Sequence, residues 1–322
     1  MLLIITNSAD FHTDAVIHKI REKEHGDFFR LNTEYLHRDY DVEIYPNEKK
    51  FLIKNRFNGK TADSNNIKSV WWRRPEKIKI VENEITEMLQ DYLKDEYHIM
   101  LRSLMNILSV NKCKIITNLP DLNRAKDKTL QQIWAKECGF KTPQQLITTS
   151  NKSFAEYFSN TKETISKSID SIEAIRDNDK NKDYNLFANS ISSELRKEIE
   201  SGSVKINISY FQERIRRKYE LRIIAFGKYV FPFKIEKSNY DIDWRRIDPD
   251  SINFELIQNE NLNTMCTEYL NKSSLNFGAF DLIVDEFDNV YFIECNPNGQ
   301  FLFCDIQGNT NLLSAFVQYL YE

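Results

Sequence analysis

The segment 277–301, FGAFDLIVDEFDNVYFIECNPNGQF, constrains the fold of this chain more than any other part of its sequence. Two apolar stretches flank a short polar turn, a pattern that predicts an antiparallel hairpin. If the hairpin closes symmetrically, Asp281 lies opposite Glu294 and Ile283 lies opposite Phe292. This register brings two carboxylates together on one face of a sheet.

Like charges directly opposite each other destabilise a sheet unless a counter-charge lies between them. A hard divalent cation satisfies that requirement, and Asn296, two positions beyond Glu294 on the same face, supplies a further oxygen ligand. Asp281, Glu294 and Asn296 are therefore candidate metal ligands. The alternative is that they are solvated positions on an exposed sheet face, because a register can slip by one residue.

A chain of 322 residues exceeds what one hydrophobic core usually serves, so several packed units are expected. We expect an N-terminal α/β domain over residues 1–115, a central lobe over 116–205 and a C-terminal lobe over 206–322. The chain begins with strand, loop and helix, and its C-terminal half is mainly antiparallel. The predicted class is therefore α/β plus α+β.

Three local patterns give specific expectations. Apolar residues at three- and four-residue spacing predict a long helix over Ile78–Leu108. The polar stretch Arg176–Asn185, with one aromatic and no aliphatic residue, predicts a mobile loop. Gly227-Lys228 joins two apolar strands and predicts the turn of a hairpin.

Composition excludes several classes of protein. The 44 Lys and Arg against 48 Asp and Glu give a net charge of −4, so a nucleic-acid partner is disfavoured. Five widely spaced cysteines without a CxxC pair argue against a disulfide framework and a zinc site, and a cytoplasmic location is expected. No apolar run is long enough to predict a membrane span.

Common nucleotide and hydrolase motifs are missing from the sequence. No Walker A sequence and no GxGxxG follows a predicted strand. The five histidines all lie within the first 98 residues without a matching nucleophile motif, so we interpret them as structural or surface groups. Hydrolase chemistry is therefore disfavoured.

A second constellation is cationic. Lys128 lies at a predicted helix start, Lys167 lies in a strand between apolar residues, and Arg222 lies in a second apolar strand. Such cations can extend into a cleft and neutralise a phosphate, although a single strand lysine is more often a solvated edge charge. Together with the acidic hairpin they indicate a phosphate-binding site.

At this point the chain resembles the ATP-grasp ligases over about residues 117–301. The resemblance rests on LNRAKDKTLQQIWAKECGFKTPQQLITTS, ETISKSI, YFQERIRRKYELRIIAFGKYVF and the hairpin segment. It implies an ATP-grasp fold behind an N-terminal pre-ATP-grasp domain, with ATP and Mg²⁺ as cofactors. It also implies roles for residues that match the family's motifs: Lys128 and Lys167 at the phosphates, Gln212, Glu213, Arg214 and Ile215 beside adenine, Glu220 at the ribose, Arg222 near the transferred phosphate, and Asp281, Glu294 and Asn296 as magnesium ligands.

More narrowly, SVWWRRP, DWR and NPNGQF resemble the microviridin-type peptide maturases, the graspetide synthetases. That resemblance implies a ribosomal precursor peptide as partner, with a leader and an acidic core whose Asp or Glu side chains are joined to Ser or Thr hydroxyls or to Lys amines. We expect a homodimer with no nucleic acid and no membrane as partners. One departure is that Ser168–Val204 contains a single glycine, Gly202, where many ATP-grasp enzymes carry a glycine-rich phosphate lid.

An acidic core needs cationic guidance, and arginines bind carboxylates with two hydrogen bonds. The candidate substrate-binding residues are Arg74, Arg216, Arg217 and Arg245, of which the resemblance favours Arg74 and Arg245. The alternative is that such arginines pair with the protein's own acidic residues, and that WWRRP is a buried tryptophan pair with structural arginines.

Two other functions remain open on this reasoning. One is an ATP-grasp ligase that adds a free amino acid to a protein or a small molecule. The other is a catalytically inactive nucleotide-binding scaffold. Retention of all the candidate metal ligands and lysines argues against the scaffold.

Overall fold

The computed structural model describes residues 1–80, 86–161, 163–169, 174–177, 182–185, 188–235 and 252–322. The predicted substrate residue Arg245 lies outside these described residues. Among the described helices, none is long and apolar enough to cross a membrane.

The N-terminal part of the chain contains a parallel sheet and a small antiparallel one. Its elements are β1 (Leu2–Thr6), α1 (Phe11–Glu22), β2 (Phe28–Asn32), α2 (Leu36–Asp39), β3 (Tyr40–Tyr45), β4 (Lys50–Asn55), β5 (Thr61–Asp63), β6 (Ser69–Trp72), α3 (Glu87–Val110) and β7 (Lys114–Ile116). The parallel sheet has the order β2-β1-β6-β7, and β3-β4-β5 pair antiparallel. Every residue of β1 is buried, as expected for an interior strand of a parallel sheet.

Helix α3 begins later than the sequence pattern predicts. The helix was expected from Ile78, but Thr86 is its N-cap and accepts a hydrogen bond from the Leu89 N–H at 3.4 Å. Ile78 and Ile80 are buried outside any helix. Their apolar character therefore reflects packing into the core, which the spacing alone did not distinguish from a helix.

The central part of the chain forms a small sheet flanked by helices. Its elements are α4 (Leu119–Arg124), α5 (Lys128–Glu137), β8 (Gln145–Thr148), α6 (Asn151–Tyr157), β9 (Thr164–Lys167), β10 (Ala174–Asp177), β11 (Lys182–Asn185), β12 (Asn189–Ser190), α7 (Ser193–Ser201) and β13 (Ser209–Glu213). The sheet has the order β12-β9-β13-β8. Strand β13 follows the predicted boundary at 205/206, yet it lies inside this central sheet.

The predicted mobile loop over Arg176–Asn185 is wrong at both of its ends. Strands β10 and β11 pair antiparallel, from Ala174 opposite Asn185 to Asp177 opposite Lys182. Ladder hydrogen bonds join backbone groups, and polar side chains do not prevent them. Composition therefore identified a polar segment correctly but could not predict that its two ends pair as strands.

The C-terminal part forms a five-stranded antiparallel sheet covered by helices. Its elements are β14 (Arg217–Phe226), β15 (Tyr229–Ile235), β16 (Phe254–Leu256), α8 (Glu260–Ser273), β17 (Phe277–Asp285), β18 (Val290–Asn296), α9 (Leu302–Gly308) and α10 (Leu312–Tyr321). The order is β16-β15-β14-β17-β18. The predicted turn at Gly227-Lys228 is confirmed, and Gly227 has a positive φ of 52°.

Helix α10 joins the N-terminal and C-terminal sheets. The Phe316 ring packs edge-on against Trp71 at 5.2 Å and against Phe226 at 5.1 Å between centroids. The central lobe has a separate, small core of buried residues: Phe154, Phe158, Ile199, Ile206 and Phe211. The N-terminal and C-terminal units therefore share one of their cores, and the described residues of the central sheet pack in a separate one.

Candidate active site

The β17–β18 hairpin has the predicted register at its polar residues. Asp281 lies opposite Glu294, as expected, and Asn296 lies opposite Ala279 on the same strand as Glu294. The expected pairing of Ile283 with Phe292 is wrong, because a bulge after Asp281 shifts the ladder by one residue. The candidate metal ligands therefore lie beside this bulge.

Arg222 binds the acidic hairpin from the neighbouring strand β14. Its Nη1 donates to Asp281 Oδ1 at 2.7 Å, and its Nη2 donates to the Gln300 carbonyl at 2.8 Å. The side chain is buried, which by itself lowers the pKa of Arg222, but Asp281 raises the pKa above its ordinary value. Arg222 is therefore a fixed cation beside the candidate metal site.

Two glutamines that the sequence analysis did not single out cover the free edge of β18. Gln131 Nε2 donates to the Cys295 carbonyl and Gln131 Oε1 accepts from the Cys295 N–H, both at 3.0 Å. Gln132 Nε2 donates to the Ile293 carbonyl at 2.9 Å, at the bulge. These bonds fix helix α5 to the strand that carries Glu294 and Asn296. The sequence signal was a polar pair on the buried face of an amphipathic helix.

Lys128 and Lys167 converge on one short stretch of chain. Lys128 is the first residue of α5, and its Nζ donates to the Ser168 carbonyl at 2.6 Å. Lys167 ends strand β9 directly before Ser168 and lies opposite Tyr210 of β13. The two predicted phosphate lysines therefore lie near each other, beside the positive end of the α5 helix dipole.

The predicted adenine-binding stretch lies at the end of β13 and just beyond it. Gln212 is buried, and among the described residues its Oε1 has no hydrogen-bond partner. Arg214 Nη1 lies 3.4 Å from Glu163 Oε2, and the Arg214 N–H donates to the Glu163 carbonyl at 3.0 Å. Glu213 Oε2 accepts from the Gln144 N–H at 3.2 Å. Ile215, half-buried, continues this stretch away from the sheet.

Tyr210 connects the central sheet to the acidic hairpin. Burial raises the pKa of the Tyr210 hydroxyl, and the nearby Glu294 carboxylate raises it further. The hydroxyl donates to Gln145 Oε1. Glu220, the predicted ribose ligand, is buried on β14, where Arg217 Nη1 lies 3.4 Å from its Oε1.

The predicted substrate arginines have different surroundings. Arg217 is nearly buried against Glu220, and Arg216 is exposed but pairs with Glu163 at 2.5 Å. Arg74 is exposed, and its guanidinium has no hydrogen bond or ion pair to any described residue. Burial lowers the pKa values of Arg73 and His12, and the positive charge of Arg74 lowers them further. Arg74 therefore lies near these buried groups, which contact residues 298–302 after β18.

The stretch Trp71–Arg73 has the buried arrangement that the sequence analysis gave as an alternative. Both tryptophans are buried, and Arg73 is 1% exposed with its Nε 3.5 Å from Asp10 Oδ2. Burial lowers the pKa of Arg73 to about 10, against the opposing effect of Asp10. Arg73 therefore has a structural ion pair, whereas the neighbouring Arg74 extends to solvent.

The donor set at the hairpin fits Mg²⁺ chemically. Within the described residues, no group of three or more His, Cys, Asp or Glu side chains is placed to hold a metal ion. A cation here would depend on the two carboxylates of Asp281 and Glu294 and the amide oxygen of Asn296. Mg²⁺ is commonly bound by one or two carboxylates together with waters and substrate phosphates, so this sparse oxygen set suits it.

Comparison with known proteins identifies the fold. Residues 1–123 match the family model of the MvdD pre-ATP grasp domain. The chain is similar to the crystal structure of macrocyclase MdnC bound with precursor peptide MdnA from Microcystis aeruginosa MRC, with a TM-score of 0.82, 23% identity and coverage of 99% of each chain. No curated protein matches the sequence.

Two further solved structures are similar over nearly the whole chain. A Chryseobacterium gregarium RiPP-associated ATP-grasp ligase in complex with ADP and a leader and core peptide gives a TM-score of 0.85 at 22% identity, covering 99% of this chain and 96% of that one. ATP-grasp ligase PsnB complexed with minimal precursor, Mg and ADP gives 0.75 at 14% identity, covering 99% and 96%. The chain therefore has the ATP-grasp fold, preceded by a pre-ATP-grasp domain of the MvdD type.

Proposed function

We propose that this protein is an ATP-dependent peptide macrocyclase. It would phosphorylate Asp or Glu side chains of a ribosomal precursor peptide and join them to Ser or Thr hydroxyls as esters or to Lys amines as amides. The observation that carries the proposal is the buried Arg222–Asp281 pair, which lies opposite Glu294 and is next to the loop that follows Asn296. A fixed cation beside a candidate oxygen-donor site for a second cation supports phosphoryl transfer, which depends on such charge neutralisation.

The chemistry follows from the charge of the groups involved. A carboxylate is a poor acyl donor, so transfer of the ATP γ-phosphoryl group to its oxygen gives an acyl phosphate and ADP. A hydroxyl or amine then attacks the acyl carbon, forms the ester or amide bond, and releases phosphate and a proton. Mg²⁺ bound by Asp281, Glu294 and Asn296 would neutralise phosphate charge.

The chain's own cations hold the anionic groups. Lys128 at the start of α5 and Lys167 at the end of β9 would bind phosphate oxygens, and Arg222 would stabilise charge that develops during transfer. The two hydrogen bonds between Gln131 and Cys295 would set the spacing between Lys128 and the candidate metal ligands. These residues position and stabilise the reacting groups and form no covalent bond.

The nucleotide base would lie against the end of β13. Gln212 supports this, because a buried amide oxygen without a partner among the described residues is costly unless a ligand donor occupies it. An adenine amino group is such a donor. Glu220 and the Glu213–Ile215 stretch would line the same end of the nucleotide site.

Arg74 is the described arginine that best suits the acidic core of the peptide. It is exposed, lies beside the buried Arg73–His12 group, and has no acidic partner among the residues described. Arg216 and Arg217 already pair with Glu163 and Glu220. We therefore rank Arg74 above them for capture of a substrate carboxylate.

The proposal is tested by incubating the protein with ATP, MgCl₂ and a synthetic precursor peptide that contains Asp or Glu together with Ser, Thr or Lys, without any added amino acid. The expected product is the peptide less one water for each ring, with one ADP released per ring. Resistance of the product to mild alkali distinguishes an amide from an ester.

The two rival functions give other products. Growth of the peptide mass only when a free amino acid is added would indicate the amino-acid ligase. Binding of ADP without turnover on any of a panel of peptides would indicate the inactive scaffold. Either result contradicts the macrocyclase.

A further inference from the structure

Residues 298–302, the loop that follows the candidate metal ligand Asn296, are bound through consecutive backbone groups. Arg73 Nη1 donates to two carbonyls, Arg222 Nη2 donates to the next, and His12 Nε2 accepts from the two N–H groups that follow. In order, the bound groups are the carbonyls of Asn298, Gly299 (3.1 Å) and Gln300 (2.8 Å) and the N–H groups of Phe301 (3.0 Å) and Leu302 (3.2 Å). Of these three side chains, those of His12 and Arg73 belong to the N-terminal domain.

His12 takes the place of a helix cap. Helix α9 begins at Leu302, and its N-cap residue Phe301 makes no side-chain capping bond. The N–H groups at a helix start need acceptors, and His12 Nε2 supplies one for two of them. The imidazole also packs edge-on against the Phe301 ring at 5.0 Å between centroids.

The environment of His12 keeps the ring neutral. The side chain is 1% exposed, and burial followed by the charge of Arg73 lowers the pKa of His12 to about 3. Only a neutral imidazole has a ring nitrogen that accepts hydrogen bonds. Near neutral pH His12 is therefore an acceptor for the N–H groups of the loop.

The loop has little room to move between these groups. A Cβ atom built on Gly299 would lie 2.3 Å from the Ala279 Cβ and 3.0 Å from Arg222 Nη2. Ala279 is the residue opposite Asn296 in the hairpin. The path of the loop therefore depends on the packing of Gly299 against the residue that lies opposite Asn296.

We propose that His12 and Arg73 are positioning residues of the active site, through which the N-terminal domain sets the path of residues 298–302 and so the placement of Asn296. This inference rests on the proposed function, because it assigns Asn296 to the metal site. Both side chains are only 1% exposed, so we assign them a positioning role and not a contact with substrate or nucleotide. Docking of the N-terminal domain would then be required for metal binding as well as for stability.

The test compares His12→Phe with His12→Gln. Phenylalanine keeps the ring volume and the contact with Phe301 but has no acceptor, whereas the glutamine amide oxygen reaches about as far as Nε2 and accepts from N–H groups. His18→Phe is the matched control, because His18 lies on the same helix with its side chain 74% exposed. Thermal unfolding checks that all three variants fold.

The first measurement is amide hydrogen exchange in the protein without ligand. His12→Phe should accelerate exchange within residues 298–304, while His12→Gln and His18→Phe should match the parent. The second is calorimetric titration with ADP in MgCl₂ and in EDTA. The Mg²⁺-dependent gain in ADP affinity should fall about tenfold in His12→Phe and stay within about threefold of the parent in His12→Gln.

A parental Mg²⁺ response in His12→Phe would overturn this inference alone, since the loop contacts would then be purely structural. If ADP affinity in the parent itself does not respond to Mg²⁺, the metal site of the proposed function is wrong, and this inference fails with it. The two failures are therefore distinguished by the behaviour of the parent.

Discussion

The candidate site has two sides. One side contains Arg222, Asp281 and residues 298–302, and the other contains Lys167 and Gln212. The first side is bound by buried side chains from both the N-terminal and the C-terminal units, which share a core built around Phe316. The second side belongs to the central sheet, whose described buried residues form a separate core. The side with the candidate metal ligands is therefore preorganised, while the proposed nucleotide side belongs to a unit that we expect to loosen separately.

Lys128 connects the two sides. Its helix is fixed to β18 through Gln131 and Gln132, and its ammonium group binds the Ser168 carbonyl at the end of the central sheet. A nucleotide bound between the sides would add its own contacts to both. Variants that act on one side only test whether the two sides differ in this way.

The largest effect is expected from Asp281→Ala, on the preorganised side. It removes a candidate metal ligand and leaves the buried Arg222 without its carboxylate, so turnover should fall at least about a hundredfold. The free energy of unfolding should fall by about 3 kcal/mol, because an unpaired buried charge is costly. Glu294→Gln is the matched control, and it should lose turnover with little change in stability. Equal stability of Asp281→Ala and the parent in chemical denaturation would contradict this expectation.

The next prediction compares the two cores. Phe154 and Phe316 are both fully buried, the first in the central lobe and the second in the shared core. Replacing either with alanine should cost about 3 kcal/mol through lost burial and cavity formation. Hydrogen exchange should accelerate only within about residues 145–213 for Phe154→Ala, but also in β1, β6 and β14 for Phe316→Ala. Faster hydrogen exchange in β1 of the Phe154→Ala variant would show that the central lobe does not loosen separately.

A third prediction concerns pH and acts on the preorganised side alone. His12 faces Asp10 on its own helix cap, Arg73 and Arg74 after β6, and Arg222 on β14, and its pKa is lowered from 6.5 to about 3. The unfolded chain therefore binds a proton that the folded protein does not. The stability that His12 contributes is fully present above about pH 6.5 and is lost progressively as the pH falls toward 3.

Between pH 7 and pH 5, the free energy of unfolding of the parent should fall by about 2 kcal/mol more than that of His12→Gln, because glutamine does not titrate. Chemical denaturation at the two pH values measures this difference. The contributions of carboxylates that both proteins contain cancel in the comparison. Identical pH dependence in parent and variant would mean that the folded protein protonates His12 readily, and that the loop contacts tolerate it.

Much of this arrangement could be predicted from the sequence because it depends on local patterns. The hairpin register at Asp281 and Glu294 followed from the position of one turn, and the lysine positions followed from a helix start and a strand. The bulge at Ile293 could not be predicted, because it is stabilised by Gln132, which lies far away in the chain. The one-residue shift in the pairing of β17 with β18 therefore depends on a tertiary contact, which local sequence does not show.

The residues that hold the site together were the least predictable. Gln131, Arg73 and His12 bind backbone groups more than 160 positions away, and backbone groups carry no sequence signature. The sequence indicated, as one alternative, that WWRRP is a buried tryptophan pair with structural arginines. It could not show what those residues bind, because only the fold brings the loop after Asn296 against them.

The smallest effect is expected from Lys167→Met, on the central side. Methionine keeps much of the length of the side chain but removes the charge that would meet the nucleotide phosphates, so ADP affinity should fall about tenfold, or roughly 1.4 kcal/mol. The fold should be unaffected, because Lys167 is at a strand end and is only half-buried. Lys152→Met is the matched control, since Lys152 lies in the same lobe with its side chain 83% exposed and pairs with Glu156.

Because the loss of ADP affinity in Lys167→Met comes from charge and not from geometry, it should shrink at high salt, whereas the loss in His12→Phe should not. Calorimetric titration at low and high salt separates the two, and an ADP affinity equal to that of the parent at low salt would remove Lys167 from the nucleotide site.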